Sequence, residues 1–323
     1  MNPRSAEPGM RIMAVVVLYH TLPVNSRSFQ SLQNASRQLP PGSLSLRVML
    51  YDNTPGGQKP GELPADVIYQ ADPQNGGTAA AYNHAMEVAV REGIAWLLVL
   101  DQDSGLPVDF FRKLCPALLF AAQLDTVAAV VPCIACGDGR ITSPWQKRNY
   151  GLRPRRLPVG FIGIPPQAVY AANSACTFKV SALKAMNGFD PRFPLWSSDL
   201  FMFHRLHQNH FRLLVAGHIH VEHEASILDL QARSTPARYE DMLLAEEAFY
   251  DQCLGRRGHL MLLAILLHRL LYKLWTTHGS VRHFQMVARF FLRGLFRTRR
   301  HRMRDWEESA RRRNPAIAGN SLS

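Results

Sequence analysis

Two strand-like segments that each end abruptly in carboxylates constrain this fold more than any other feature of the chain. Residues 45–51 read as a strand that stops at Asp52-Asn53, and residues 95–100 as a second that stops at Asp101-Gln102-Asp103. An earlier run, residues 12–18 (IMAVVVL), is continuous and rich in β-branched side chains, the pattern of a strand covered on both faces in a parallel sheet. Between it and residues 45–51 lies a helical spacing of Phe29, Leu32, Ala35 and Leu39, closed by Pro40-Pro41-Gly42, so the unit reads strand, helix, strand. A short strand at 67–70 follows, and Asn75-Gly76-Gly77 opens a helix over 78–92 that is rich in alanine. In open α/β sheets ligands bind beyond the carboxyl ends of the strands, so Asp52, Asn75 and the 101–103 segment are expected to converge on one edge.

The pattern continues with a helix over 110–124, a strand over 126–132 and a Gly/Pro/Arg-rich loop over 137–166. A strand over 171–179, a short helix, Gly188-Phe189-Asp190, a helix carrying Asp199 through Arg205 and a last short strand over 211–215 complete it. Two long helices are expected at 237–253 and 258–275. The domain reading is an α/β domain over 10–225, a basic amphipathic helical extension over 226–305 and a disordered tail over 306–323.

Apolar residues at 47% and charged residues at 19% exclude a mainly disordered or collagen-like chain. The net charge of +12 has its excess late, around Arg297, Arg299, Arg300, Arg302 and Arg304, and predicts an anionic partner there. The five cysteines form no framework, and Cys133-x-x-Cys136 lacks the second pair of a zinc site, so they read as reduced cytoplasmic thiols. No secretory leader is expected from the polar residues 1–11. The apolar stretch 260–275 is broken by His268, Arg269 and Lys273, which favours an interfacial over a spanning helix. Its leucines at 262, 263, 266, 270 and 274, continued by Phe284, Val287, Phe290, Phe291, Leu295 and Phe296, are expected to face a membrane surface, a homodimer partner, or both.

Asp101 and Asp103 place paired hard oxygen ligands at a sheet edge, which suits Mg or Mn bridging a diphosphate. Asp52-Asn53 offers acceptors to a base imide or a ribose, and the 75–77 turn offers backbone N–H groups to an anion. Neither a dinucleotide glycine fingerprint nor a Walker lysine is present. His204, His207, His210, His218, His220 and His223 crowd one region, but their spacing fits no tetrahedral site.

The joint order of Asp52-Asn53 after a strand, Asn75-x-Gly77 before an Ala-rich helix with Asn83, and Trp96-Leu-Leu-Val-Leu-Asp101-Gln102-Asp103 resembles the family-2 glycosyltransferases of GT-A fold. The likeness runs on through Asn173-Ser174, Gly188-Phe189-Asp190, Asp199, Arg205 and His223, and is nearest to bacterial rhamnosyltransferase-like enzymes of surface-polysaccharide synthesis. It implies a nucleoside-diphosphate-sugar donor held by Asp52, Asn75, Gly77, Asn83, Asp101, Gln102 and Arg205, and a divalent metal at Asp101, Asp103 and His223, with His220 as the substitute for His223. It further implies Asp199 as the base of an inverting transfer to a glycan or lipid-linked acceptor, and the basic amphipathic helices are expected to hold the chain on the inner face of the cell membrane. The chain departs from the family where an acidic cluster normally leads to the base: Pro194-Leu-Trp196-Ser-Ser198-Asp199 keeps one carboxylate. A sugar-nucleotide-binding protein without transfer is the alternative. A basic nucleic-acid-binding protein is the more distant one, since it leaves the strand-end aspartates unexplained, and no nucleic acid is expected as partner.

Overall fold

The computed structural model describes residues 10–39, 42, 44–136, 139–146, 155–223, 235–275 and 281–313. Two compact units divide the chain. The first comprises Met1–Lys147, Arg155–Phe189 and Arg205–Glu224, and the second Arg148–Pro154, Asp190–His204 and Ala225–Ser323.

In the first unit β1 (Met10–Leu18) lies between β2 (Leu44–Asp52) and β4 (Trp96–Asp101), parallel to both, and β3 (Val67–Ala71) closes that side. The continuous apolar run puts all of residues 12–18 in the interior, which a central parallel strand requires. Leu18 pairs with Asp52 and Val17 with Asp101, so the strands end nearly flush and their terminal carboxylates emerge on one edge. Helix α1 (Arg27–Arg37) is capped by Ser26, whose Oγ accepts from the Phe29 amide. Helices α2 (Gly77–Arg91), against β1 and β4, and α3 (Phe110–Ala122), against β6 (Val127–Ala135) and β13 (Arg212–His223), cover the sheet.

Strand β12 (Thr177–Lys179) is inserted antiparallel between β4 and β6, and β13 runs parallel to β6. With β10 (Ile162–Gly163) beyond β13, and with β5 (Ser104–Gly105) and β7 (Ile141–Ser143) paired at the side, the sheet is ten-stranded and mostly parallel. A small second sheet joins β8 (Trp145–Gln146), β9 (Arg155–Arg156) and β11 (Val169–Tyr170). The segment expected as one loop over 137–166 thus carries several short strands; residues 137–138 and 147–154 lie outside the described residues.

Three boundaries differ from the sequence reading. Only the end of 171–179 is strand, because 173–176 makes a turn, with the Cys176 amide donating to Asn173 O at 2.9 Å and Ala175 at φ +61°. The last strand is twelve residues long rather than five. Its second half alternates buried Ile219 and Val221 with outward His218, His220 and Glu222, so it lacks the continuous apolar signal of 211–215. At the junction the pairing with β6 shifts register, and Gly217 packs so closely that a Cβ there would stand 2.3 Å from Phe161 O. Finally, helical structure reaches Arg313 and buries Trp306 and Ala310, well into the stretch expected to be disordered; 314–323 lies outside the described residues.

In the second unit, α5 (Ser198–Gln208) contributes its first turns, after the short α4 (Val180–Ala185) of the first unit. Helix α6 (Pro236–Trp275) is broken at Gly255, whose φ of 57° and ψ of −143° are not helical, so the two expected helices meet there. Helices α7 (Val281–Phe296) and α8 (Arg299–Arg313) follow. Tyr239, Leu243, Leu262, Leu266, Val287 and Phe290 form the core of this unit. Leu262, Leu266, Val287 and Phe290, expected on a docking face, are instead packed against one another, because three amphipathic helices in one unit satisfy each other first. No helix among the described residues is long and apolar enough to cross a membrane.

Candidate functional site

The pairing of β5 with β13 builds the site. Asp101 ends β4, a tight turn carries Gln102 and Asp103, and Ser104 then pairs with His223. That register brings His223 Nδ1 to 3.3 Å from Asp103 Oδ1 and 3.1 Å from Ser104 Oγ. Ligand atoms of Asp101, Asp103 and His223 all lie within 4.8 Å of one another. The Tyr82 hydroxyl stands 3.4 Å from Asp101 Oδ1. Burial pushes the Asp101 carboxyl above the usual range; His223 lowers it and the neighbouring Asp103 raises it again. Among the described residues no lysine or arginine forms an ion pair with Asp101 or Asp103. Two crowded carboxylates and an imidazole, without a matching cation from the chain, fit a divalent metal; carboxylate with imidazole suits Mn at least as well as Mg.

A layer of serines holds that turn from behind. Ser26 Oγ donates to Gln102 O at 3.0 Å, and the Ser28 amide donates to the same carbonyl at 3.2 Å. Ser28 Oγ accepts from the Ser104 amide at 2.9 Å and sits beside the Asp101 and Ser104 carbonyls. Ser104 Oγ touches Ser174 Oγ as well as His223, so the imidazole is oriented by a buried hydroxyl pair. The sequence reading missed Ser28, Ser104 and Ser174 in this role. The one signal available was the capping residue Ser26 at the start of a helix.

Next to this turn, Gln102 Oε1 accepts from the Tyr19 amide at 2.7 Å, fixing the loop after β1. Asp52 is fully buried; its Oδ1 accepts from the Thr54 amide at 3.0 Å and its Oδ2 from the Tyr69 hydroxyl at 2.5 Å. Burial and then Asp52 push the Tyr69 phenol up. Beside it, the buried Asn53 Oδ1 has no hydrogen-bond partner among the described residues. Asn75 adopts φ +56° and Gly77 φ +81° in the turn that opens α2. The carboxylate that organises this turn is Asp72, which accepts from the Gly76 amide at 2.8 Å and from the Gln74 amide at 3.2 Å.

Two residues of the expected donor set are engaged elsewhere. Asn83 pairs with the Phe189 backbone through both ends of its amide, at 2.8 and 2.7 Å. Arg205 donates to Gly188 O at 2.8 Å and to Met186 O. Both clamp the turn at 186–189, where Gly188 has φ +71° and a Cβ would come within 2.2 Å of Asn83 Oδ1. Asp199 lies in the second unit, in the first turn of α5, where its Oδ1 accepts from the Leu200 amide at 2.8 Å. His220 pairs opposite Cys133 and is no member of the triad, while His207 bonds Val169 O and His204 packs edge-on to Phe249.

No family model matches the chain, and no curated protein matches it. Solved structures do. The structure of S. aureus TarS 1–349 is 12% identical over 89% of this chain and 81% of that chain, with a TM-score of 0.50. TarS 1–349 in complex with UDP-GlcNAc is 14% identical over 88% and 81%, with a TM-score of 0.51. GalNAc-T7 with UDP, GalNAc and Mn2+ is 12% identical over 90% of this chain but 56% of that chain, with a TM-score of 0.52. The fold is GT-A. The GT-A sheet places its strand-end carboxylates, Asp52 and Asp101, on one edge.

Proposed function

We propose that the chain is a metal-dependent glycosyltransferase that moves a sugar from a nucleoside diphosphate to a hydroxyl acceptor. The carrying observation is the triad of Asp101, Asp103 and His223 at the carboxyl edge of a GT-A sheet, whose carboxylates form no ion pair with a lysine or arginine among the described residues. Those three residues would hold a divalent ion, Mn in the first instance, and a bound ion would neutralise the diphosphate as it departs. Asp52, Asn53 and the 75–77 turn would take the nucleoside. Since both oxygens of Asp52 are engaged by Thr54 and Tyr69, its role is to hold the base pocket, with the neighbouring Asn53 amide presented to the base. Asn83 and Arg205 act by fixing the 186–189 turn rather than by touching the donor.

The family resemblance assigns Asp199 the proton of the acceptor hydroxyl, and a carboxylate at the first turn of a helix is favoured in its charged form. A single displacement then inverts the anomeric centre. The same resemblance points to a hexose donor such as rhamnose and a glycan or lipid-linked acceptor at the inner membrane face. The solved neighbours hold UDP and UDP-GlcNAc, so a donor panel begins with uridine nucleotides.

The test is nucleotide release from a panel of sugar nucleotides, with Mn2+, Mg2+ or EDTA and with lipid-linked acceptors present. Metal-dependent turnover that D199N abolishes without weakening nucleotide binding supports the assignment. Nucleotide binding without turnover of any donor leaves a sugar-nucleotide-binding protein instead.

A further inference from the structure

We propose that the end of α7 and the start of α8 form a site for the phosphate head groups of an anionic lipid surface. The proposal rests on the second unit alone and stands or falls independently of the transferase reading.

The arginines of this unit fall into two sets. One set is matched by carboxylates: Arg269 with Glu246 at 2.7 Å, Arg293 with Glu247 at 3.0 Å, Arg302 with Asp251 at 2.7 Å and Arg297 with Asp305 at 3.0 Å. The other set is not. Among the described residues Arg299 and Arg300 form no ion pair, Arg299 donating only to Asp251 O, and Arg304 has a single exposed contact of 3.7 Å with Glu308. These three line an open cavity of about 930 Å³ together with His301, and Glu307 is the one carboxylate in its wall. The first turn of α8 contains no acidic residue, so cations stand at the helix end where the dipole disfavours them. A phosphate in the cavity relieves both conflicts, and guanidinium groups match its geometry.

The choice of lipid over other phosphates comes from the apolar residues beside the cavity. Leu292, Leu295 and Phe296, in the last turns of α7, are 52%, 51% and 82% exposed, and Phe296 precedes Arg299 by three residues. These aliphatic and aromatic side chains are left over once Val287 and Phe290 have entered the core. Apolar side chains directly next to unmatched arginines fit the boundary between acyl chains and head groups. A nucleic acid or a soluble phosphate would use the cations and leave the leucines in water.

The experiment is co-sedimentation of the full chain with phosphatidylcholine vesicles, with and without phosphatidylglycerol, in the absence of any sugar nucleotide. Binding is expected only with phosphatidylglycerol. Neutralising two cations in R300Q/R304Q is expected to weaken it about thirty-fold. L295S/F296S is expected to weaken vesicle binding as well, while the exposed R91Q on the first unit is expected to leave it unchanged. Both double variants change exposed residues, and melting curves that superpose on wild type show that the loss belongs to the surface. Binding by R300Q/R304Q equal to wild type overturns the proposal. So does a chain that takes up inorganic pyrophosphate or single-stranded RNA through Arg300 and Arg304 but is not retained by phosphatidylglycerol vesicles.

Discussion

The molecule gathers carboxylates in two places and treats them in opposite ways. In the helical unit, Glu247 and Asp251 are 3% and 1% exposed, and arginines surround them: Arg302 forks onto Asp251 at 2.7 and 2.9 Å, and Arg293 reaches Glu247 at 3.0 Å. At the sheet edge of the first unit, Asp101 and Asp103 meet each other, a histidine, a tyrosine and serines. Buried carboxylates that the chain neutralises itself serve the fold, because removing either partner strands a charge in the interior. Carboxylates crowded together without a countercharge are costly unless something from outside neutralises them, and that difference marks the second cluster as the one built for a ligand.

Substitutions should therefore separate activity from stability. D101N is expected to lower nucleotide release about a thousandfold or more while leaving the melting temperature essentially unchanged, since one ligand of the ion is lost and a crowded charge is relieved. A large fall in melting temperature for D101N would erase the contrast. In the other cluster R302M is expected to cost about 3–5 kcal/mol of stability, read by denaturant unfolding, because Asp251 and Glu247 lose their shared partner. Metal uptake by the folded R302M protein should match wild type.

S104A sharpens the comparison from the ligand side. Removing the hydroxyl next to His223 Nδ1 is expected to weaken Mn2+ binding about tenfold, measured by calorimetry, with a stability cost of about 1 kcal/mol. The smallest effect concerns pH. Burial, with a smaller push from the nearby Asp251, holds the Glu247 carboxyl up at about 7 from its ordinary 4.5, although Arg293 and Arg302 pull the other way. A folded value above the unfolded one means that this group's contribution is complete below about pH 4.5 and is lost as pH rises toward 7. Melting temperature against pH should show that decline in wild type and a flatter profile in E247Q.

What the sequence revealed follows the same division. The parallel sheet was legible because residues 12–18 and 95–100 are continuous apolar runs and 48–51 is a shorter one, and the ligand edge because Asp52 and Asp101 directly follow two of them. Most of β13 beyond Val215 was not legible, since it alternates outward histidines with single buried residues. The serines behind the triad escaped because Ser28 and Ser104 are 76 positions apart and a hydroxyl carries no periodic signal. For the same reason the pairing of Arg302 with Asp251, across 51 positions, looked like part of a basic tail rather than the core of a unit. The stripe on α6 and α7 was read as a docking face because periodicity shows that a helix has an apolar side, not what covers it.

We propose that Asp101, Asp103 and His223 together hold one divalent ion in a nucleotide site. Titration of Mn2+ into wild type and into D101N/D103N, each with and without UDP, tests it most directly. A single saturable site that UDP tightens is expected in wild type, and neither the site nor the tightening in the double variant. Equal Mn2+ binding by both proteins, indifferent to UDP, would contradict it.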